Sequence, residues 1–421
     1  MMNKQNDDNF EEITMADEEA AANSSEKTNM NPNSETINDE ISDYVFMKPH
    51  RSKKRSVKSF DKTQLNDVTL VKSERGSSRH KGRSKKKMKL WKKILLSIAC
   101  VLLSIILIIV GSFTFLIIKG SRELLDGEYK ITAPEGVEVQ NDGEYIVYNG
   151  KTYQLNTNVT SILFMGVDKR ELEQSEVKGT GGQADVIVLL AVDTKTGKIS
   201  MINISRDTMT DVTVYSANGG YVGTETQQIC LSYAYGDGME TSCENTVNSV
   251  KRLFYNIPIK SYLALDLDGI AAVNDSVGGV DVVSPETIGD FTKGESYHLE
   301  GDMAENFVRT RNHESPDANT LRMQRQQVYV TEFMNKVISQ TKQDITTPVS
   351  LFNASSPYTC TNLNSSKICY LAESVVMSNG MSVDMQTVPG ESKMGENYAE
   401  YYVDESEFYE MFLSVYYNEV N

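Results

Sequence analysis

Two aspartates and an uneven scatter of arginines carry the chemical information in this chain. Asp168 follows the apolar run Ile162 to Val167, Asp185 precedes the run Val186 to Val192, and Arg206-Asp207 follow the run Ile199 to Ile204. If these runs form an antiparallel meander, the end of the first, the start of the second and the end of the third share one sheet edge. Two carboxylates and an arginine then converge there. Such a carboxylate pair suits Mg2+ or a similar ion, which takes one or two carboxylates and fills its shell with water and phosphate oxygens. The plainer alternative is a pair of turn and cap aspartates flanking strands. The 16-residue loop between the aspartates carries Gly179, Gly181 and Gly182 and is long enough to be functional.

Arginines point the same way. Beyond residue 118 there are eight, and Arg309, Arg311, Arg322 and Arg325 fall within 17 residues. A guanidinium fork binds phosphate oxygens in bidentate fashion. Arg322, Arg325, Gln326 and Tyr329 are spaced i, i+3, i+4, i+7 on one helical face, with Asn319 placed to cap that helix. The cluster fits a polyanionic head group such as a pyrophosphate; the competing reading is a solvated face with ion pairs to acidic neighbours. Other chemistries find no support. Neither Cys-x-x-Cys nor His-Glu-x-x-His occurs, nor a Gly-x-Ser-x-Gly elbow or Walker loop, and the Gly-rich stretch before Asp185 leads into a strand, unlike a dinucleotide fingerprint.

The elements that must position these residues alternate in type. Tyr145–Tyr148 and Lys151–Leu155 flank Asn149-Gly150, a hairpin signal, and the strands on either side of Asp193–Gly197 pair antiparallel. Helical periodicity follows over 244–254, 269–277, 301–308, 321–339, 366–377 and 405–415, with strands over 262–267 and 280–283. The expectation is an α/β fold, an α/β/α-like sandwich with a mixed, largely antiparallel central sheet.

Charge is segregated along the 421 residues, whose net charge is −16. Residues 1–50 carry −9, residues 51–93 carry +14, residues 94–118 carry no charged group and the remainder carries −21. Residues 94–118, about 37 Å as a helix, are long enough to cross a ~30 Å hydrocarbon core. Eleven Lys/Arg lie between Lys72 and Lys93 against Lys119 and Arg122 beyond the run, so the N-terminus is expected in the cytoplasm and the C-terminal portion outside the cell. The expected divisions are a disordered cytoplasmic tail (1–77), a basic juxtamembrane segment (78–93), a transmembrane signal anchor (94–118), a β-hairpin linker (119–158) and an extracellular domain (159–421, core 159–340). Bulk acidity argues against nucleic acid as a partner. Of the extracellular cysteines, the local pairs Cys230/Cys243 and Cys360/Cys369 are the expected disulfides, with free thiols as the alternative.

Six fragments in order, Ile162–Asp168, Ala184-Asp185, Ile204–Thr208, Gly278-Gly279-Val280, Phe307–Arg311 and Arg322–Gln326, resemble the LytR-CpsA-Psr family over about residues 159–340. The resemblance implies a membrane-bound enzyme of Gram-positive cells. Such an enzyme moves an anionic glycopolymer, teichoic acid or capsule-like, from undecaprenyl diphosphate onto peptidoglycan beside the membrane lipid, with pyrophosphatase as a side activity. It further implies Mg2+ (or Mn2+) on Asp168 and Asp185, and a diphosphate gripped by Arg206, Arg309, Arg311, Arg322 and Arg325 with support from Gln326. Asp207 would orient Arg206, placing Arg206, Asp207 and Asp168 in the catalytic group, and an apolar tunnel would hold the lipid tail. The chain departs from the family twice. Gln183-Ala184-Asp185 stands where Arg-Ser-Asp is usual, and Asn319 stands where an acidic residue is common, with Asp317 as a substitute. A different class of function also fits: a non-catalytic polyprenyl-diphosphate-binding regulator or scaffold of the envelope.

Overall fold

Long apolar runs that alternate with turn residues decide the layout of this computed structural model, which describes residues 89–177, 179–216, 218–311, 318–378 and 382–420. The expected tail 1–77, residues 78–88 of the juxtamembrane segment, and Asp317 lie outside these residues, as does the side chain of Asn319. Helix α1 (Leu90–Leu125) is longer than the charge-free run and continues through Lys119–Glu123 without a break. Among the described residues it is the one helix long and apolar enough to cross a membrane. Its last turns belong to the domain. Gly120 and Leu124 are buried, Glu123 accepts hydrogen bonds from Asn364 and Ser366, and Leu124 O accepts one from Thr160.

Three short strands follow, β1 (Glu138–Gln140), β2 (Tyr145–Tyr148) and β3 (Lys151–Leu155), with Asn149 and Gly150 at positive φ in the β2–β3 turn. The meander β4 (Val159–Val167), β5 (Ala184–Asp193) and β6 (Lys198–Ile204) is antiparallel, as expected. A hairpin, β7 (Met209–Tyr215) and β8 (Tyr221–Gln228), leads to α2 (Leu231–Ala234) and α3 (Glu240–Leu253). The chain then forms β9 (Ile259–Leu265), α4 (Leu267–Ser276), β10 (Val280–Val283), β11 (Ser296–Leu299), α5 (Asp302–Arg309), α6 (Ala318–Gln343) and α7 (Thr347–Ser355). It ends with β12 (Thr359–Thr361), α8 (Ser365–Met377), β13 (Ser382–Thr387), β14 (Gly390–Met394), β15 (Ala399–Val403), α9 (Glu405–Tyr416) and β16 (Tyr417–Val420). Asn319 lies inside α6 rather than capping it.

The central sheet runs β12-β9-β4-β5-β6-β13, parallel at β9/β4 and β6/β13 and antiparallel elsewhere. Its middle strands are buried on both faces, which explains their near-continuous apolar sequences. Leu163, Met165, Ile187 and Leu189 point toward α3 and α9, where Phe254, Phe408 and Phe412 pack. Ile162, Val188, Leu190 and Met201 point the other way, toward α6, α7 and α8. The result is an α/β/α sandwich whose last strand returns to pair with β3, tying the chain's end to the segment just after the membrane helix.

The expected local disulfides are not formed: Cys230, Cys243, Cys360 and Cys369 are free thiols. Cys360 belongs to the core beneath α3 and α9, whereas Cys369 is buried on α8, which packs on the other sheet face, so nearness in sequence does not bring them together. Cys243 instead meets Cys360, thiol to thiol.

At Gly120 an added Cβ would collide with Ser366 O, so α1 and α8 touch backbone to backbone. Gly120→Val should cost about 1–3 kcal/mol of overpacking strain and lower the thermal midpoint of the full-length protein by several degrees. Gly111→Val, at a position with nothing within 4 Å, should leave the midpoint unchanged in the same unfolding experiment.

Candidate active site

The meander delivers its charged residues to one edge. Asp168 leaves the end of β4, where its Oδ1 accepts the Gln183 N–H at 2.6 Å. The neighbouring Gly182 has φ +90, and a Cβ there would crowd Asp168 Oδ1, so this close backbone approach requires glycine. Asp185 is the second residue of β5, and its Oδ1 receives Arg206 Nη1 from the β6–β7 turn. Arg206 Nη2 donates to Gln183 Oε1 and lies 3.6 Å from Cys230 Sγ, while its Nε is 3.6 Å from Asp207 Oδ1. Asp207 is itself held by Gln228 Nε2 at 3.1 Å. From α6, Arg322 Nη1 approaches Asp185 Oδ2 at 3.7 Å. One carboxylate thus faces two guanidiniums.

Charge is crowded here. Burial pulls the Arg322 guanidinium below its usual range; Asp185 opposes this, while Arg311 and Arg206 add to it. An anion bound among these groups would relieve the crowding. Burial pushes the Cys230 thiol up to about 11 despite the adjacent Arg206, so it is a neutral neighbour at ordinary pH and a poor nucleophile.

Arg309 and Arg311 close the other side. Arg309 Nη1 pairs with Glu305 Oε1 at 2.5 Å, one turn earlier on α5, and the half-exposed Arg309 keeps access to solvent. Glu305 also receives Arg170 at 2.8 Å, and Arg170 reaches Asp268 at 2.9 Å. This chain of charges links α5 to the segment just after Asp168. Arg311 is exposed.

Arg325, expected to grip the diphosphate, is instead a buried structural group. Its side chain is fully buried: Nη1 donates to Phe307 O at 2.9 Å, Nη2 donates to Thr310 O, and Nε sits 2.8 Å from Glu286 Oε1. It fastens the end of α5 to α6 and acts on the site by positioning Arg309 and Arg311. Gln326 donates to Val308 O at 3.1 Å and lines the cavity described next. Sequence reading also passed over Glu305 and Arg170, although the i, i+4 spacing of Glu305 and Arg309 was available as a signal.

Between the sheet and helices α4 to α7 lies a cavity of about 240 Å3 with an almost wholly apolar lining. Its wall includes Gly166, Val186, Val308 and Gln326, each within two residues of Asp168, Asp185, Arg309 or Arg325. An apolar interior therefore opens beside a charged edge. Among the described residues no group of three or more His, Cys, Asp or Glu is placed to hold a metal. Asp168 and Asp185 are the two carboxylates at this edge, and each already has a partner: the Gln183 N–H for Asp168, and Arg206 and Arg322 for Asp185.

The model of the LytR_cpsA_psr family matches residues 126–414. The chain is 29% identical over 252 residues to the polyisoprenyl-teichoic acid--peptidoglycan teichoic acid transferase TagU of Bacillus cereus, covering 58% of this chain and 74% of that protein. It is 29% identical over 201 residues to the corresponding TagV of Bacillus subtilis, covering 44% of this chain and 47% of that protein, or about half its length. Protein gbs0355 of Streptococcus agalactiae shares the fold, with a TM-score of 0.50, 18% identity and coverage of 62% of this chain and 87% of that one.

Arg325→Ala strips partners from two carbonyls and from Glu286, and should cost about 3–5 kcal/mol in denaturant unfolding. Arg311→Ala, at an exposed position, should stay within about 0.5 kcal/mol of the wild-type protein.

Proposed function

The chain belongs to the LytR_cpsA_psr family, and from that premise we propose that it is a membrane-anchored transferase moving an anionic glycopolymer, of the teichoic acid or capsule kind, from undecaprenyl diphosphate to peptidoglycan. The observation that carries this reading is the apolar cavity that opens beside the Asp185, Arg206 and Arg322 cluster. A donor with a long hydrocarbon tail and a charged diphosphate needs both halves. The names of the relatives, teichoic acid transferases using polyisoprenyl donors and peptidoglycan acceptors, support the same reading. Helix α1 anchors the protein, with its basic flank in the cytoplasm and the domain outside.

In this reading the polyprenyl tail enters the cavity and the diphosphate rests on Arg206, Arg322, Arg309 and Arg311. Asp207 holds Arg206 extended, and Arg325 and Gln326 keep the end of α5 in place. A peptidoglycan hydroxyl attacks the sugar-linked phosphorus and loses its proton to solvent, the P–O bond to the lipid-linked phosphate breaks, and polyprenyl phosphate leaves with its charge spread over the arginines. Asp168 and Asp185 would hold Mg2+ or Mn2+, which when bound neutralises phosphate charge. Water in place of the hydroxyl gives pyrophosphatase as the side reaction.

One observation favours the binding-only reading: Gln183 accepts from Arg206 at the position where relatives are expected to place another arginine. Full-length protein in liposomes, supplied with a polyprenyl-diphosphate glycan, Mg2+ and peptidoglycan oligomers, should form a glycan–peptidoglycan linkage detectable by mass spectrometry. Arg206→Ala should lower kcat/KM about 10- to 150-fold, the loss of about 1.5–3 kcal/mol for one charged hydrogen bond, and chelation should abolish a rate that Mg2+ or Mn2+ restores. Tight lipid binding with no linkage in any condition would leave a regulator or scaffold.

A further inference from the structure

We propose that the C-terminal turn of α8 is seated in the outer face of the lipid bilayer beside α1, so that the domain stands on a two-helix foot. This rests on the membrane-anchored reading above.

Register comes first. Glu123 pairs with Asn364 and Ser366, while Gly120 packs on Ser366 and Tyr370, so residue numbers run in opposite directions and the two helices are antiparallel. From Tyr370 to Met377 the helix advances roughly 10 Å, which brings Met377 level with about Phe113 on α1. Burial agrees: Phe113, Leu116, Ile117 and Gly120 are wholly or partly covered, while Thr114, Phe115, Ile118 and Lys119 between them stay exposed. The covered positions form one helical stripe, and α8 is the element packed along it.

Depth follows from length. Lys92 and Lys93 mark the inner boundary of the hydrocarbon, and a ~30 Å core takes about 20 residues of helix, so the outer boundary falls near Phe113. Met377 is held at that depth. The surface there suits lipid: Val376 is 39% and Met377 70% exposed, beside Phe115 at 65%, and the last turn of α8 carries no basic residue. The half-buried Glu373 sits a turn farther out, at headgroup level. The Tyr370 hydroxyl shares a hydrogen bond with that of Thr194 at 3.0 Å, which brings the β5–β6 turn and its exposed Lys195 to the same level, where lipid phosphates lie. Outer-leaflet lipid is the occupant because this patch continues a surface already in lipid.

The test uses the full-length protein in liposomes. Trp91 is the one tryptophan in the sequence, and its quenching by lipids brominated along the acyl chains reports insertion of α1. In a Trp91→Phe background, Met377→Trp and, independently, Val376→Trp should be quenched strongly by lipids brominated near the headgroup end of the chains and weakly by aqueous acrylamide. Tyr398→Trp, from a 70% exposed residue in the β14–β15 turn, should behave the opposite way. If the Met377→Trp and Val376→Trp proteins respond like the Tyr398→Trp protein, while Trp91 of the unaltered chain is quenched by lipid, the foot is wrong although the anchor stands. If Trp91 is not quenched either, the anchoring fails and the foot with it.

Discussion

A buried guanidinium is stable only where oxygen meets its N–H groups, and that constraint organises this domain. Asp185 takes one arginine from the β6–β7 turn and another from α6, so a single carboxylate joins the sheet edge to the helical layer. Arg325 does the same work deeper, binding two carbonyls of the α5 end and Glu286. Glu305 does it at the rim, between Arg309 and Arg170. Each acid fixes where an arginine points. The arginines at this edge are held in place by acidic groups, and in the proposed function that arrangement lets a domain of strong negative charge receive an anion.

The apolar half of the site has a different origin. The cavity lies between the sheet and α4 to α7, and α8, which packs on the same sheet face, receives the membrane helix. One helical layer therefore serves both the cavity and the anchor. The backbone contact at Gly120 ties the orientation of the sheet to the direction in which α1 enters the domain.

Much of this was legible in the residues. Strand direction alone brought Asp168, Asp185 and Arg206 to one edge, because alternating apolar runs with a short turn leave few ways to pair. Clustering within 17 residues singled out Arg309, Arg311, Arg322 and Arg325, and the six fragments that resemble the family supplied their expected roles. What escaped depends on contacts remote in sequence. Arg325 has the spacing of a surface ligand, yet its partners on α5 and near Glu286 draw it inside. Strands β13 and β16 are short and polar, and they form strand only because β6 and β3 offer free edges. The cysteines were paired by nearness along the chain, whereas the sheet separates Cys360 from Cys369 and brings Cys243 to Cys360.

The central claim is that cavity and charged mouth form one site for one amphiphile. An experimental density map of the full-length protein with bound polyprenyl diphosphate tests it most directly. The isoprenoid should run between Phe164 and Phe333, with phosphate oxygens within hydrogen-bond distance of Arg206 and Arg322. A lipid bound elsewhere, or a diphosphate that leaves both arginines on Asp185 and touches neither, would contradict it.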